Sequence, residues 1–307
     1  MLRIVFAVSL SLLVGLTGAA RADNVGDCNQ SANPQRAIRG CTKLIDNKRL
    51  KNKNLASAYS NRGVAYRNKG DYKRAIADFD SAIKLNPKDA ADYSNRALAY
   101  ASKGDLDRAI ADLDSAIKLN PKHANAYYNR AFAYADKGDD DRAIADFTKT
   151  IKLNPKDANA YNNRGVAYGN KGKFDLAIKD YDAAIRLNPK YANAFYNRGA
   201  VYDDKGQFAR AIRDYSKAIR LNPKDAWAYI NRGVVFRKTG KVELAIRDYD
   251  KAIKLDPKDA GAYYNLGTAY RMKGDKKQAI ANYRKALSLS PSDKLARSNL
   301  EAMGATP

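Results

Sequence analysis

Few residues in this chain of 307 could carry covalent or proton chemistry. His123 is the sole histidine, which removes acid–base and metal sites built on paired imidazoles. Cys28 and Cys41 are the two cysteines, too few for a four-ligand zinc site. Their spacing is far from the C-x-x-C redox pattern, so the readings left are a local disulfide, two buried thiols or a weak redox pair. Asp139-Asp140-Asp141 lacks the spacing of a calcium loop, and acids at the start of a helix are the plainer reading. No glycine-rich phosphate loop, paired catalytic acid or nucleophile motif is present. The chain therefore reads as non-enzymatic, with no cofactor or metal expected. The chemistry left is recognition, through carboxamides, guanidinium groups and aromatic rings that recur at a fixed interval.

That interval defines the elements which must position them. Pro87, Pro121, Pro155, Pro189, Pro223, Pro257 and Pro291 each lie 34 residues from the next. A glycine series from Gly70 to Gly274 keeps the same step. Self-similarity at this period is the mark of stacked repeats. In the first unit, Ala56 to Asp89, Tyr59, Gly63 and Tyr66 share one helical face, and Gly70 ends that helix. Asp71 is suited to cap a second helix, whose inward face is Ala75, Phe79, Ala82 and Ile83, and Asn86-Pro87 stops it.

The unit Ala-Tyr-Ser-Asn-Arg-Gly-Val-Ala-Tyr, followed by Gly-Asp-Tyr, Ala-Ile, Phe and Leu-Asn-Pro, resembles the tetratricopeptide repeat. The resemblance covers residues 56–293 as seven units without insertion. It implies an all-α fold, a right-handed superhelical solenoid of helix-turn-helix repeats. Residues 23–55 read as a degenerate N-terminal capping repeat, in which Gln35 to Asp46 resembles a second helix. Residues 294–307 read as a C-terminal capping helix and tail.

The repeats depart from the family at the seventh place, where leucine is usual. Six units carry arginine there (Arg62, Arg96, Arg130, Arg164, Arg198 and Arg232), and the seventh has Leu266. Sixteen places on, the same six carry aspartate (Asp78, Asp112, Asp146, Asp180, Asp214 and Asp248), and the seventh has Asn282. The coincident change predicts an arginine–aspartate bridge between the two helices of a unit; the alternative is that the arginines face a ligand.

In this family the first helices line a concave face, and the resemblance implies that the second, fifth, sixth, ninth, twelfth and thirteenth places are exposed there. The sixth place is asparagine in every unit: Asn61, Asn95, Asn129, Asn163, Asn197, Asn231 and Asn265. A carboxamide offers donor and acceptor together, which suits a peptide backbone. The ladder is similar to that of the repeat region of O-linked N-acetylglucosamine transferase. The competing reading is that the asparagines bond neighbouring helices. Tyr128, Tyr196, Trp227, Ile230 and Tyr264 join the ladder as candidate anchors, with Trp227 foremost. The partner implied is a protein or an extended peptide. No lysine stands at the fifth place, so the pattern of a carboxylate-tail groove is missing.

Charge adds a second reading. Lys+Arg number 56 against Asp+Glu 33, a net +23. The groove is nearly neutral, and the excess falls in rows at the helix ends and after the prolines, such as Lys69, Lys84 and Lys88. Cations at helix C-termini are stabilising without any ligand, yet basic rows also suit a polyanion. A polyanion-binding envelope protein is one alternative function; an accessory subunit of an envelope enzyme or secretion complex is another.

The first 22 residues read as a secretory signal: Arg3, an apolar run from Ile4 to Leu16, then Ala20-Arg21-Ala22. The run is short for a membrane span, the alternative being an uncleaved anchor. Export to a periplasmic or secreted location is expected, where Cys28 and Cys41 would most simply pair.

Overall fold

The computed structural model describes residues 19–30, 32–47 and 50–306. The expected leader, apart from its last four residues, lies outside them. Among the described residues the chain is all-α, with seventeen helices and no strand. No helix among them is long and apolar enough to cross a membrane.

The helices fall into two compact units, one ending at Pro155 and the other beginning at Lys156. The first holds α1 (Ala19–Cys28), α2 (Pro34–Asp46), α3 (Asn52–Asn68), α4 (Tyr72–Leu85), α5 (Ala90–Ser102), α6 (Leu106–Leu119), α7 (Ala124–Asp136) and α8 (Asp140–Leu153). The second holds α9 (Ala158–Asn170), α10 (Phe174–Leu187), α11 (Ala192–Asp204), α12 (Phe208–Leu221), α13 (Ala226–Lys238), α14 (Val242–Leu255), α15 (Ala260–Lys273), α16 (Lys276–Leu289) and α17 (Lys294–Ala302). Within each unit consecutive helices pack as hairpins and each hairpin packs on the next. The first helices of successive repeats also touch, α3 to α5 to α7 and α9 to α11 to α13 to α15. They form an inner row, and the second helices lie outside it.

Local chemistry sets the helix ends. Gly70 turns at φ +79°, in the left-handed region where a side chain is strained, and its six periodic counterparts do likewise. Asp71 then accepts the Arg74 backbone N–H at 3.0 Å and starts α4. Asp105 and Asp139 do the same for α6 and α8. Lys173, Gln207 and Lys241 stand at that place in the second unit and supply no side-chain cap.

In six of the seven repeats the core is a ring on the second helix set against a small residue on the first, and in the second repeat Leu113 takes the ring's place. Phe79, Phe147, Tyr181, Tyr215, Tyr249 and Tyr283 are at most 2% exposed. A Cβ built on Gly63 would lie 2.8 Å from the Phe79 ring, so the two helices approach more closely than a larger residue permits. Each such ring contributes about 2–3 kcal/mol by its burial.

At the N-terminal end, α1 and α2 pair and are joined by the Cys28–Cys41 disulfide, with Cα atoms 4.5 Å apart. Both cysteines are buried with Leu44, Leu50 and Ala58. Helix α1 runs without a break through the expected cleavage point after Ala22. Helix α3 begins at Asn52, four residues before the repeat boundary read from the sequence. At the other end, α17 covers α16 with fully buried Ala296 and Leu300.

Candidate partner-binding face

The arginine–aspartate bridges form in all six repeats that carry the residues. Arg62 donates from Nε and Nη2 to the two carboxylate oxygens of Asp78, each at 2.8 Å. Arg96, Arg130, Arg164, Arg198 and Arg232 repeat the geometry at 2.6 to 2.8 Å. The remaining nitrogen reaches back to the preceding second helix: Arg62 to Thr42 at 3.1 Å, Arg96 to Asp80 at 2.6 Å and Arg232 to Ser216 at 2.9 Å. One guanidinium thus ties three helices. The arginine side chains are only 16–19% exposed and the aspartates 7–9%, so these groups hold the repeats together and do not face a ligand. The bond to Asp112 raises the pKa of Arg96, and burial raises that of Asp78. In the seventh repeat Leu266 is buried without a charge, and Asn282 donates to the Gln278 carbonyl of its own helix at 2.9 Å.

The asparagine ladder is less open than the sequence implies. Asn61, Asn95, Asn129 and Asn163 are buried at 2–7% exposure, which corrects the expectation that the sixth place faces solvent throughout. The cause is the close approach of neighbouring first helices, whose polar groups meet. Asn61 donates to Asn29 at 3.0 Å, Asn197 to Asn162 at 3.0 Å and Asn231 to the Tyr196 hydroxyl at 2.7 Å. Asn299 of α17 keeps the pattern with the Tyr264 hydroxyl at 3.4 Å. In the last three cases the sixth place of one repeat bonds the fifth place of the one before, 35 residues earlier, whereas Asn61 bonds Asn29 just after α1, 32 residues earlier. Ile230 offers no acceptor, and Asn265 turns to the Gly261 carbonyl of its own helix at 2.9 Å.

The apolar candidates separate in the same way. Ile230 is 5% exposed and belongs to the core with Ala245, Tyr249 and Leu266, which corrects its expected exposure. Tyr128, Tyr196 and Tyr264 are half-buried, with their rings 5.7–5.8 Å from Phe147, Tyr215 and Tyr283. Trp227 is 63% exposed on the first turn of α13. Its counterpart on α15 is Gly261. Met272, 50% exposed at the end of α15, was not singled out by sequence reasoning, although the thirteenth place marks it. Near the C-terminal ends of these helices Lys238 pairs with Asp203 at 2.8 Å, and Arg271 donates to Asn299 at 2.7 Å.

One buried acid in the first unit also escaped the sequence reading. Asp92 is 2% exposed, at the third place, where the other six repeats have an alanine no more than 0% exposed. A hydrogen bond links it to Ser60, but burial pushes its carboxyl up to about 7. The signal was a single departure in an otherwise uniform column.

The repeat match is extensive. Residues 56–89, 158–191, 192–225 and 260–293 match the tetratricopeptide repeat. So do residues 215–247, and residues 99–138, 133–172 and 235–274 match a TPR repeat. The chain belongs to the tetratricopeptide repeat family. No curated protein matches it. Among solved structures, the Cut9–Hcn1 hetero-tetramer of the APC/C is similar over 89% of this chain at 18% identity and TM-score 0.64, and this chain spans 53% of that one. YrrB, a TPR protein with an unusual peptide-binding site, is 26% identical over 62% of this chain and 97% of its own, at TM-score 0.52. MamA is 30% identical over 54% of this chain and 96% of its own, at TM-score 0.50. Tetratricopeptide repeats are typical of protein-binding scaffolds, and here the Arg–Asp bridges tie the helices of that scaffold together.

Proposed function

We propose that this tetratricopeptide protein is a non-enzymatic, exported scaffold that binds a protein or extended peptide along the inner row of its second unit. Trp227 carries the reading. A large ring 63% exposed leaves apolar surface in water, and aromatic anchors of this kind dominate the binding energy of interfaces. The half-buried Tyr196 and Tyr264 flank it, and Asn197, Asn231 and Asn265 are partly open beside them. The likeness to YrrB, described as having a peptide-binding site, supports the peptide class. The ladder in the first unit, Asn61, Asn95 and Asn129, is buried and is assigned to packing between the repeats.

The chain has a single tryptophan, so its emission reports on this site alone. Partners are captured with the full chain at 0.5 M salt, identified by mass and titrated while tryptophan emission is followed. A shift in emission and loss of capture by Trp227→Ala support the reading. Capture unchanged by Trp227→Ala and by joint Asn197→Ala and Asn231→Ala changes rejects it. Export is tested by the mass of the mature chain, expected to begin at Asp23.

A further inference from the structure

Two second helices of the second unit, α12 and α14, carry positive charge in a pattern the first unit lacks. On α12, Arg213, Lys217 and Arg220 fall at i, i+4 and i+7, and Lys224 follows in the loop. On α14, Arg247, Lys251, Lys254 and Lys258 repeat the spacing. Such spacing places the cations of each helix on one stripe. Seven of the eight are exposed and Lys217 is half-buried. Helix α10 adds Lys179 and Arg186, both exposed. In the first unit the two leading places of the stripe hold Ala77 and Ser81 on α4, Ala111 and Ser115 on α6, and Ala145 and Lys149 on α8, so no helix there has a cation at both.

Solvation of a helix face does not explain this. Like charges at i, i+4 weaken a helix, and Arg213–Lys217 and Arg247–Lys251 are two such pairs. The acids offset this charge only in part: Asp214 is bound to Arg198 and Asp248 to Arg232, while Glu243, 4.0 Å from Lys273, stands four places before Arg247, and Asp250 stands four places before Lys254 and interacts with it. Rows at the ends of first helices differ, since Lys69 donates to Gln35, and Lys137 and Lys205 pair with Asp107 and Asp175. The outer stripe therefore keeps more cations than nearby acids, most fully on α12, where Asp214 is the one acid of the helix and is bound to Arg198.

We propose that this outer face of α10, α12 and α14 docks on the surface of an anionic lipid bilayer. Parallel stripes make a sheet of charge, which matches a leaflet of anionic headgroups better than a single strand of phosphates. The stripe has no aromatic ring on which bases could stack, as single-stranded nucleic acid binding requires. Leu176 and Leu244, 41% and 38% exposed, border the face at the start of α10 and α14 and suit a lipid interface. Each basic side chain near such a surface adds attraction that salt screens. The proposal is independent of the Trp227 reading, because it uses the opposite helices of the repeats.

The test is co-sedimentation of the full chain with vesicles of phosphatidylcholine alone or with 30% phosphatidylglycerol. Two four-residue variants are compared, each checked for its helical signal and melting temperature. One carries Arg213→Gln, Lys217→Gln, Arg247→Gln and Lys251→Gln; the other carries Lys84→Gln, Lys88→Gln, Lys118→Gln and Lys122→Gln in the first unit. The expected result is salt-sensitive binding to anionic vesicles only, reduced at least about 100-fold by the first variant and by less than about tenfold by the second. The apolar N-terminal segment is common to all three proteins and contributes equally. Equal binding to neutral vesicles, equal loss in both variants, or no binding to anionic vesicles overturns the proposal. So does tighter binding to a DNA duplex with the same loss on the first variant, which would assign the face to nucleic acid.

Discussion

Arg130 holds Asp146 through two parallel bonds, Nε to Oδ2 at 2.7 Å and Nη2 to Oδ1 at 2.8 Å, while its third nitrogen reaches Asp114 of the preceding second helix at 2.5 Å. Removing one partner strands the other, and Asp146 is 6% exposed. Arg130→Ala and Asp146→Ala should each cost about 3 kcal/mol. The pair Arg130→Leu with Asp146→Asn, which copies Leu266 and Asn282 of the seventh repeat, should cost less than either single change. Urea unfolding of the singles and the double change measures the coupling. A double change as costly as the sum of the singles removes the bridge from the account.

Asp92 makes stability fall as pH rises. Its carboxyl titrates near 3.8 in the unfolded chain and about 7 when buried. Between those values the folded state holds a proton that the unfolded state has lost, so folding becomes less favourable with increasing pH. Asp92→Ala, the residue of the other repeats, should therefore stabilise by about 2–4 kcal/mol at pH 8 and far less at pH 4. Denaturant unfolding at pH 4, 6 and 8 checks this. The same gain at every pH would show that the carboxyl is not the cause.

The Cys28–Cys41 link constrains a short loop, and its loss should cost about 3 kcal/mol in the chain-entropy model. Cys28→Ser with Cys41→Ser should lower the melting temperature of the N-terminal hairpin before that of the repeats, read by hydrogen exchange over α1 and α2. Intact mass without reductant should show no free thiol; two free thiols refute the link.

Two glycines on α9 should respond with opposite signs. A Cβ on Gly165 would meet the Tyr181 ring at 2.8 Å, and one on Gly169 would have nothing nearer than 3.9 Å. Gly169→Ala should gain about 0.5–1 kcal/mol from helix propensity, whereas Gly165→Ala should lose about 1–3 kcal/mol through overpacking. Thermal unfolding of the two variants decides it, and a gain at both places would mean that the helices separate freely.

The repeat boundaries were legible because glycine and proline act on the backbone locally, and a period of 34 shows through any surface variation. The Arg–Asp bridges were legible because Leu266 and Asn282 change together. Burial at the sixth place was not, since it depends on how closely neighbouring first helices approach, which rings such as Phe79 and Tyr181 control from other columns. The outer basic stripe was hidden for a related reason. Arg213 and Lys217 join Arg220 only when the phase of α12 is known, whereas a linear reading sorts lysines by the loops they precede.

The asparagine joint has a consequence for how such a chain can change length. Asn61 reaches into the leading hairpin, Asn197 and Asn231 reach the repeat before each, and Asn299 makes the same reach from the closing helix. Because Asn197, Asn231 and Asn299 make the same reach over 35 residues, a gene that gains or drops one such module keeps a matching seam. The second unit is built like a run of standard couplings, with one left open where Ile230 meets Asn265.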